Sequence, residues 1–477
     1  GIVIIDNKTG DVVAVAGGVG EKQGSLILNR ATQSYLSPGS TIKPVSVYAP
    51  ALELGLITPA TVMDDTPYSF TDARHWPKNS DSIYRGLMNI NEAVGLSINT
   101  IPVKLVAQMT PEYSFEFAKE KMGLSTLVSS YVNAAGDTFS DVDLAPLAMG
   151  GLTKGVTVKA MAQAYATFAN EGVYREARTY TKVVDSDGKV VLDNTQQSHV
   201  AMKDMTAWYI TYMLENTVES GTGTAAQIEN MTVAGKTGTN SDSKGVFFAG
   251  MTGWYSASVW IGHDNYKALS SKATGGNSAA PLWQSFMAKI HKAKNLDSRE
   301  IIDGAPSDYN LVRVTTCGVS GQLATDACYN DVNGYKTITD YWDADSVPTA
   351  YCSMHKSVSI CTESGLLATD YCPSYSVETR GIVLIPKGHP LYDYINTYGD
   401  TIRKYLGEFA TLQSTSDIAN HICQIHDAYT ATQEPSELEN IVTEASNLVY
   451  QAYQLVGSSP DLSNDTRRQI NTAISAV

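Results

Sequence analysis

The sequence predicts an α+β protein, a sheet flanked by helices with a helical insert, followed by small cysteine-containing repeats and a helical tail. Three observations carry this. Strand-like apolar runs stand at both ends of the first 292 residues, with a long helical stretch between them. All six cysteines lie beyond that point and fall in an internal repeat. From Glu434 onward the apolar residues return to a helical period.

The elements follow in order. Ile2–Ile5 and Val12–Ala16 flank Asp6-Asn7-Lys8-Thr9-Gly10, a hairpin signal. Pro38-Gly39 breaks the chain, and Ser40 reads as a helix start with Pro44 tolerated in its first turn. Residues 86–175 read as mostly helical. Within them Ala145–Ala169 carries Leu147, Leu152, Val156, Val158, Met161, Ala164 and Phe168 at spacings that suit one helix face. Trp208–Val218 is a further amphipathic helix. Thr232–Thr239, Val246–Gly253 and Ser256–Gly262 read as strands, and Ala279–Trp283 opens a helix ending near Lys292. One domain is therefore expected over 1–292. Residues 314–328 (VTTCGVSGQLATDAC) and 358–372 (VSICTESGLLATDYC) are a repeat offset by 44 residues, giving two units at about 311–355 and 358–426 within a region 293–426. The tail, 427–477, reads as a helical hairpin: Glu434–Val456, a Gly-Ser-Ser-Pro break at 457–460, and a second short helix.

A chain of 477 residues exceeds what one core organises, so two or three domains are expected. A formal charge of −15 argues against nucleic acid and against a polybasic membrane patch. No run of about 18 apolar residues exists to span a bilayer, and no signal peptide is visible. The chain opens at Gly1, without Met, directly into a strand-like run. That reads as a start inside a longer protein.

Three short motifs carry the chemistry: Ser40-Thr41-Ile42-Lys43, Ser97-Ile98-Asn99 and Lys236-Thr237-Gly238-Thr239. Each alone is cheap. Ser241-x-x-Lys244, Ser353-x-x-Lys356 and Lys8-Thr9-Gly10 show that single hits arise by chance. Taken one at a time, Ser40 and Asn99 read equally as helix caps, Lys43 as a solvated helix residue and Lys236 as a surface strand residue. The order and the surroundings are what distinguish them. S-x-x-K, then Ser-x-Asn, then K-T-G is the signature set of penicillin-binding proteins and class A β-lactamases, and it predicts serine acyl transfer.

A serine hydroxyl is a weak nucleophile and needs a base and an oxyanion site. Ser40 and Lys43 would lie one turn apart on one helix face. Lys43 must be neutral for part of the cycle, and burial with a second cation, Lys236, would lower its pKa. In an extended loop Ser97 and Asn99 would point the same way, to relay a proton and hold the substrate amide. On a strand Thr237 and Thr239 share one face, suited to a substrate carboxylate. Gly238 leaves room for a peptide backbone. Strict alternation puts Lys236 on the opposite face, so its entry to the cleft would need twist or reach. The backbone N–H groups of Ser40 and Thr239 would hold the oxyanion.

Longer blocks agree with a known family. RATQSYLSPGSTIKP (30–44), WPKN (76–79), LSINTIPVKL (96–105), LAMGGLTKGVTVKAMAQAYATFANEGVY (147–174), GKTGTN (235–240) and AAPLW (279–283) resemble class A (bifunctional) penicillin-binding proteins, over roughly residues 1–292. The resemblance implies a D,D-transpeptidase that cross-links peptidoglycan stem peptides ending in D-Ala-D-Ala and is acylated by β-lactam antibiotics. It implies Ser40 as nucleophile and Lys43 as its base, with Ser97, Asn99 and Lys236 as proton relay and substrate contacts. Thr237 and Thr239 become carboxylate binders. It further implies a glycosyltransferase domain preceding this chain, and a location on the extracytoplasmic face of a bacterial membrane, anchored by an N-terminal segment outside it. No catalytic cofactor is expected. The competing readings are a D,D-carboxypeptidase or β-lactamase-like hydrolase, in which water takes the acyl group, and a β-lactam-binding sensor or scaffold. The C-terminal region is a candidate contact for other cell-wall synthesis proteins.

The cysteines allow two readings. Cys317, Cys328, Cys352 and His355 form one C-x10-C…C-x2-H set. Cys361, Cys372, Cys423 and His426 form another. Three thiolates and one imidazole suit tetrahedral zinc. The alternative is three disulfides: Cys317–Cys328, its counterpart Cys361–Cys372, and a long bridge from Cys352 to Cys423. Units this small need a staple of either kind. His421 reads as a surface helix residue.

Overall fold

Strands from both ends of the first 292 residues meet in one antiparallel sheet. In a computed structural model describing residues 1–21, 24–71, 74–240, 243–398, 402, 406–412, 418–427, 437–458, 466 and 470, these are β1 (Ile2–Asp6), β2 (Val12–Ala16), β3 (Ala234–Thr239), β4 (Gly245–Met251) and β5 (Tyr255–Gly262), in the order β3-β4-β5-β1-β2. Lys8-Thr9-Gly10 is the β1–β2 turn, as expected, with the Thr9 N–H donating to Asp6 Oδ1. β4 is buried at every position, because both faces of the sheet are covered. Ile4, Val246, Phe248 and Val259 pack on Trp283 and Met287 of the helix Ala280–Lys294. Val3, Ile5, Ala234, Phe247 and Ala249 face the helical insert.

The insert contains the helices Ile90–Gly95, Thr100–Met109, Val158–Ala169 and Asp204–Glu219. Val158–Ala169 is capped by Thr157, whose side chain accepts from the Ala160 N–H. It runs through the core with Met161, Tyr165 and Phe168 fully buried, so Phe168→Ala would cost about 3–5 kcal/mol.

Two expectations are corrected here. Ala145–Ala169 is not one helix; it splits into Leu144–Met149 and Val158–Ala169. Gly150 (φ +77°) and Gly155 (φ +85°) reverse the chain between them. A Cβ at Gly150 would lie 2.3 Å from Gly39 O, and one at Gly155 2.6 Å from Leu36 O. The intervening loop thus supports the segment that carries Ser40. The apolar period misleads because Val156 is buried from the loop. The stretch 86–175 also holds the strand Gly86–Asn89, paired with Val62–Asp65, and a small hairpin, Tyr131–Val132 with Thr138–Phe139.

Beyond Lys294 two hairpins repeat: β6 (Leu311–Cys317) with β7 (Thr337–Asp343), and β8 (His355–Cys361) with β9 (Val377–Val383). Their flanking bridges repeat too, Leu323↔Tyr351 and Leu367↔Ile422. His421 departs from expectation. It lies in a turn, half-buried, with its ring 5.9 Å from Phe409. The tail contains a helix, Glu437–Ser458, which runs into the anticipated break. The second short helix falls almost wholly outside the described residues. Among the described residues no helix is long and apolar enough to cross a membrane.

Candidate active site

Ser40 lies in a tight 3-10 turn, Gly39–Ile42, which continues through Lys43 into a wider turn, Pro44–Tyr48, and the helix Ala49–Glu53. It is not a cap: the residue before the turn is Pro38, and Ser40 sits inside it. Thr41 Oγ1 donates to Pro38 O (2.7 Å), Tyr165 OH to Thr41 O (2.9 Å) and Ser46 Oγ to Leu147 O (2.6 Å). These bonds fix the turn from beneath. Thr41, Ile42 and Lys43 are completely buried, whereas Ser40 is half-buried at the rim.

Lys43 is therefore a core lysine, not a solvated one. Its Nζ donates to Ser97 O (2.8 Å), Ile98 O (2.7 Å) and Asn99 Oδ1 (2.7 Å). Burial, and secondarily the cation of Lys236, push its pKa well below the usual lysine range. The three oxygens act the other way and favour the ammonium. Accepting a proton at Nζ would require one of these bonds to be released.

Ser97 and Asn99 are not in an extended loop. They form a tight turn between Ile90–Gly95 and Thr100–Met109, with Ser97 at φ +59°. This left-handed residue turns two successive carbonyls toward Lys43. Ser97 thus meets Lys43 through its carbonyl. Asn99 makes no cap bond; its side chain bridges Lys43 and Lys78 O, the latter at 2.8 Å.

Sequence reasoning missed Asp65. It is fully buried and accepts from Asn79 Nδ2 (2.7 Å), Thr100 Oγ1 (2.6 Å) and Arg85 N–H (2.9 Å). Asn79 in turn accepts the Asn99 N–H at 2.9 Å. No motif marks Asp65; its partners are 14 to 35 residues away.

β3 forms the sheet edge beside the Ser40 turn. A Cβ at Gly238 would fall 2.2 Å from Pro38 O, and one at Gly39 2.8 Å from Thr239 O. The two glycines let the backbones touch. Lys236 lies on the face that alternation expects. It pairs with Ala249, as Gly238 pairs with Phe247, and this face is the one packed on the insert. Lys236 is completely buried, and burial lowers its pKa to about 7. Thr237 and Thr239 occupy the other face. Thr237 Oγ1 meets Thr222 Oγ1 at 2.9 Å, and Thr239 Oγ1 accepts the Gly275 N–H at 3.0 Å. The Thr239 hydroxyl proton is left to donate to a ligand. Thr222 and Gly275 carried no sequence signal.

The six cysteine sulfurs are unbridged. Cys317, Cys328, Cys352 and His355 come together, as do Cys361, Cys372, Cys423 and His426, each set with its ligand atoms within 4.8 Å of one another. Cys352 and Cys423 belong to different sets, so the long bridge is not made. Each imidazole turns Nδ1 to the sulfurs: His355 to Cys317 (3.3 Å) and Cys352 (3.4 Å), His426 to Cys423 (3.3 Å) and Cys361 (3.5 Å). Each turns Nε2 to a carboxylate, Asp331 (3.3 Å) or Glu363 (3.4 Å). Backbone N–H groups of Val319, Ser320 and His355 donate to the sulfurs of the first set, and that of Thr369 to Cys372. Such donors favour thiolates, and the donor set fits a tetrahedral metal ion.

A half-buried serine, a buried lysine one turn on and a sheet edge bearing Lys-Thr-Gly-Thr define a serine acyl-transfer type of site. Residues 1–288 match the penicillin binding protein transpeptidase domain, and residues 309–357 match the penicillin-binding protein 1A C-terminal domain. The chain belongs to the penicillin-binding protein transpeptidase family. It is 37% identical over 388 residues to penicillin-binding protein 1A of Clostridium botulinum strain Hall, covering 79% of this chain and 44% of that protein. It is 35% identical over 368 residues to penicillin-binding protein 1A of Clostridium perfringens strain ATCC 13124, covering 75% and 42%. The chain thus spans less than half the length of these relatives. Among solved structures, penicillin-binding protein 1A from Haemophilus influenzae shares the fold (TM-score 0.59, 24% identity, 74% of this chain and 54% of that one). The PonA1 protein from Mycobacterium tuberculosis in complex with penicillin V is also similar (TM-score 0.50, 25% identity, 61% and 77%). The first cysteine set lies inside the matched C-terminal domain; the second lies beyond it.

Proposed function

We propose that this chain is a D,D-transpeptidase acting on peptidoglycan stem peptides ending in D-Ala-D-Ala. Ser40 attacks the penultimate D-Ala carbonyl, its proton passing to Lys43. The terminal D-Ala leaves as the amine after protonation, and an amine of a neighbouring stem peptide takes the acyl group from Ser40. Asn99 orients Lys43 and the substrate amide. Ser97 relays a proton, Lys236, Thr237 and Thr239 bind the substrate carboxylate, and Thr222 Oγ1 positions the Thr237 hydroxyl. The Ser40 and Thr239 N–H groups hold the oxyanion. β-Lactams acylate the same serine. The observation that carries this reading is Lys43, completely buried one turn from a half-buried Ser40 and held by Ser97, Ile98 and Asn99. A solvated lysine needs no such cradle.

The reading extends to the rest of the chain. Residues 1–292 form the catalytic part, 293–426 two zinc-binding units, and 427–477 a helical tail. Zinc is the staple of each unit, with the chain working on the extracytoplasmic face of a bacterial membrane, where the C-terminal units also offer a surface to other cell-wall synthesis proteins. The first test is intact mass after incubation with a penicillin, for wild type and Ser40→Ala. One drug mass on the wild type and none on the variant is expected. Rapid drug hydrolysis without an adduct would replace the transpeptidase with a hydrolase. Neither adduct nor hydrolysis would leave a scaffold.

A further inference from the structure

The wall of the acyl-transfer site and the first cysteine set share one apolar core. Tyr84 and Leu87 pack against a cluster containing Cys317, Cys328, Cys352, Leu391, Tyr394 and Ile402. Tyr394, on the helix Pro390–Tyr398, stands edge-on to Phe70 (5.1 Å between ring centroids) and to Tyr84 (6.0 Å). Gly86 admits Ile402, whose Cγ2 would lie 2.9 Å from a Cβ placed there. Asn91 Nδ2 donates to Asp340 Oδ2 at 3.3 Å, and Asp340 is on β7, paired with the strand that ends at Cys317.

From this wall a run of hydrogen bonds leads to Lys43. Tyr84 OH donates to Pro77 O at 3.0 Å. Arg85 N–H donates to Asp65, Asp65 holds Asn79, Asn79 holds the Asn99 backbone, and Asn99 Oδ1 holds Lys43. The cysteine unit is small, and the binding energy of a metal at such a site is folding energy for the unit. What orders the unit therefore orders the surface on which Tyr84–Asn91 rests.

We propose that the first cysteine centre is a brace for the acyl-transfer site: a thiolate-preferring divalent metal, zinc, bound by Cys317, Cys328, Cys352 and His355 orders residues 84–99 and so sets Asn99 against Lys43. This rests on the function proposed above. Tyr394, Gly86 and Asn91 act as positioning residues. Among the described residues the second centre (Cys361, Cys372, Cys423, His426) makes no such contact with the wall, and it is not part of the brace.

The test uses the full zinc-loaded chain, with metal content measured directly. Zinc is stripped by a chelator under reducing conditions and then restored. Hydrogen exchange of residues 84–99 and acylation by a fluorescent penicillin are followed, the latter resolved into drug affinity and maximal rate. Stripping is expected to raise exchange in 84–99 and to slow the maximal rate about tenfold with affinity little changed, as small misplacements of a catalytic group do. Restoring zinc should reverse both. Tyr394→Ala should reproduce both effects with zinc content unchanged. Tyr84→Phe, which keeps the ring and loses only the bond to Pro77, covers the case in which Tyr394→Ala does not fold, and should slow acylation by a smaller factor. Unchanged exchange and rate after verified metal loss would overturn the brace while leaving zinc binding and the acyl enzyme intact. A chain that takes up no zinc would overturn the brace together with the metal reading. A zinc-loaded chain that is not acylated would overturn the proposed activity, and the exchange readout would still decide the brace.

Discussion

Lys43 and Asn99 meet through Nζ and Oδ1 at 2.7 Å, joining the turn that carries Ser40 to the wall that Asp65 and Asn79 hold in place. The contact fixes the direction of the amine, and its neutral amide oxygen favours the ammonium less than a carboxylate would. Asn99→Asp tests this. A carboxylate in the same place stabilises the ammonium and raises the Lys43 pKa by roughly one to three units. The acid limb of the acylation rate should move up in pH by that amount, with the rate at pH 7 falling about tenfold or more. Acylation by penicillin across pH checks it; an unmoved limb would mean that Asn99 does not face the reacting amine.

Lys236 supplies the second titration. Its pKa is lowered to about 7 by burial, and Lys43 is lowered well below its usual range by burial and then by the Lys236 charge. The signs oppose. In the proposed mechanism acylation needs neutral Lys43 and rises with pH through that group. Attraction of a substrate carboxylate needs the Lys236 ammonium, which in the empty site is present below about 7 and lost above it. A bell-shaped profile is expected for the second-order rate. Lys236→Met should abolish the alkaline limb, shift the acid limb upward because the repelling cation is gone, and reduce acylation by roughly 10²–10³.

The close approach of β3 to the nucleophile turn depends on Gly238. A Cβ there would meet Pro38 O at 2.2 Å, and a backbone atom cannot step aside as a side-chain tip does. Gly238→Ala should therefore push the strand from Ser40 and lower stability by about 1–3 kcal/mol, with acylation lost beyond what that destabilisation explains. Gly24→Ala, where nothing lies within 4 Å, is the matched control. Thermal unfolding and intact mass on both variants separate the effects.

Local signals in the sequence were enough for the sheet and the three motifs, and they offered the two cysteine sets as one of two readings. The strands are marked by short apolar runs, and the C-x10-C…C-x2-H sets recur with the same residue types. What escaped depends on contacts distant in sequence. Ser97 turns its carbonyl to Lys43 because its φ is positive, which a Ser-Ile-Asn triplet does not reveal. Lys236 is buried because its side of β3 is covered by the insert, and strand alternation gives two faces without saying which is which. The 150–157 loop kept a helical period because Val156 is buried from a loop, and periodicity registers burial before it registers helix. Asp65 is one acid among 49 acidic residues, and only the fold brings Asn79, Thr100 and Arg85 to it.

The two cysteine sets have one geometry and different surroundings, which predicts different metal release. In both, the histidine turns Nδ1 to the sulfurs and Nε2 to a carboxylate. The pair His355–Asp331 is sealed, with both side chains fully buried, whereas Glu363 beside His426 is 44% exposed. A carboxylate behind a ligating imidazole holds its orientation and raises its basicity, and losing one costs about 10–100-fold in metal affinity. Water already competes for Glu363 and can reach the second set more readily. A chain loaded with two zinc ions should therefore release them to a colorimetric chelator in two phases. Cys361→Ser should remove the faster phase and Cys317→Ser the slower. Asp331→Asn should speed the slow phase, the expected affinity loss being about 10–100-fold, while Glu363→Gln should change the fast phase by far less. A single phase, or equal sensitivity of the two sets to their carboxylates, would mean that burial of the supporting acid does not govern how tightly each set holds its metal.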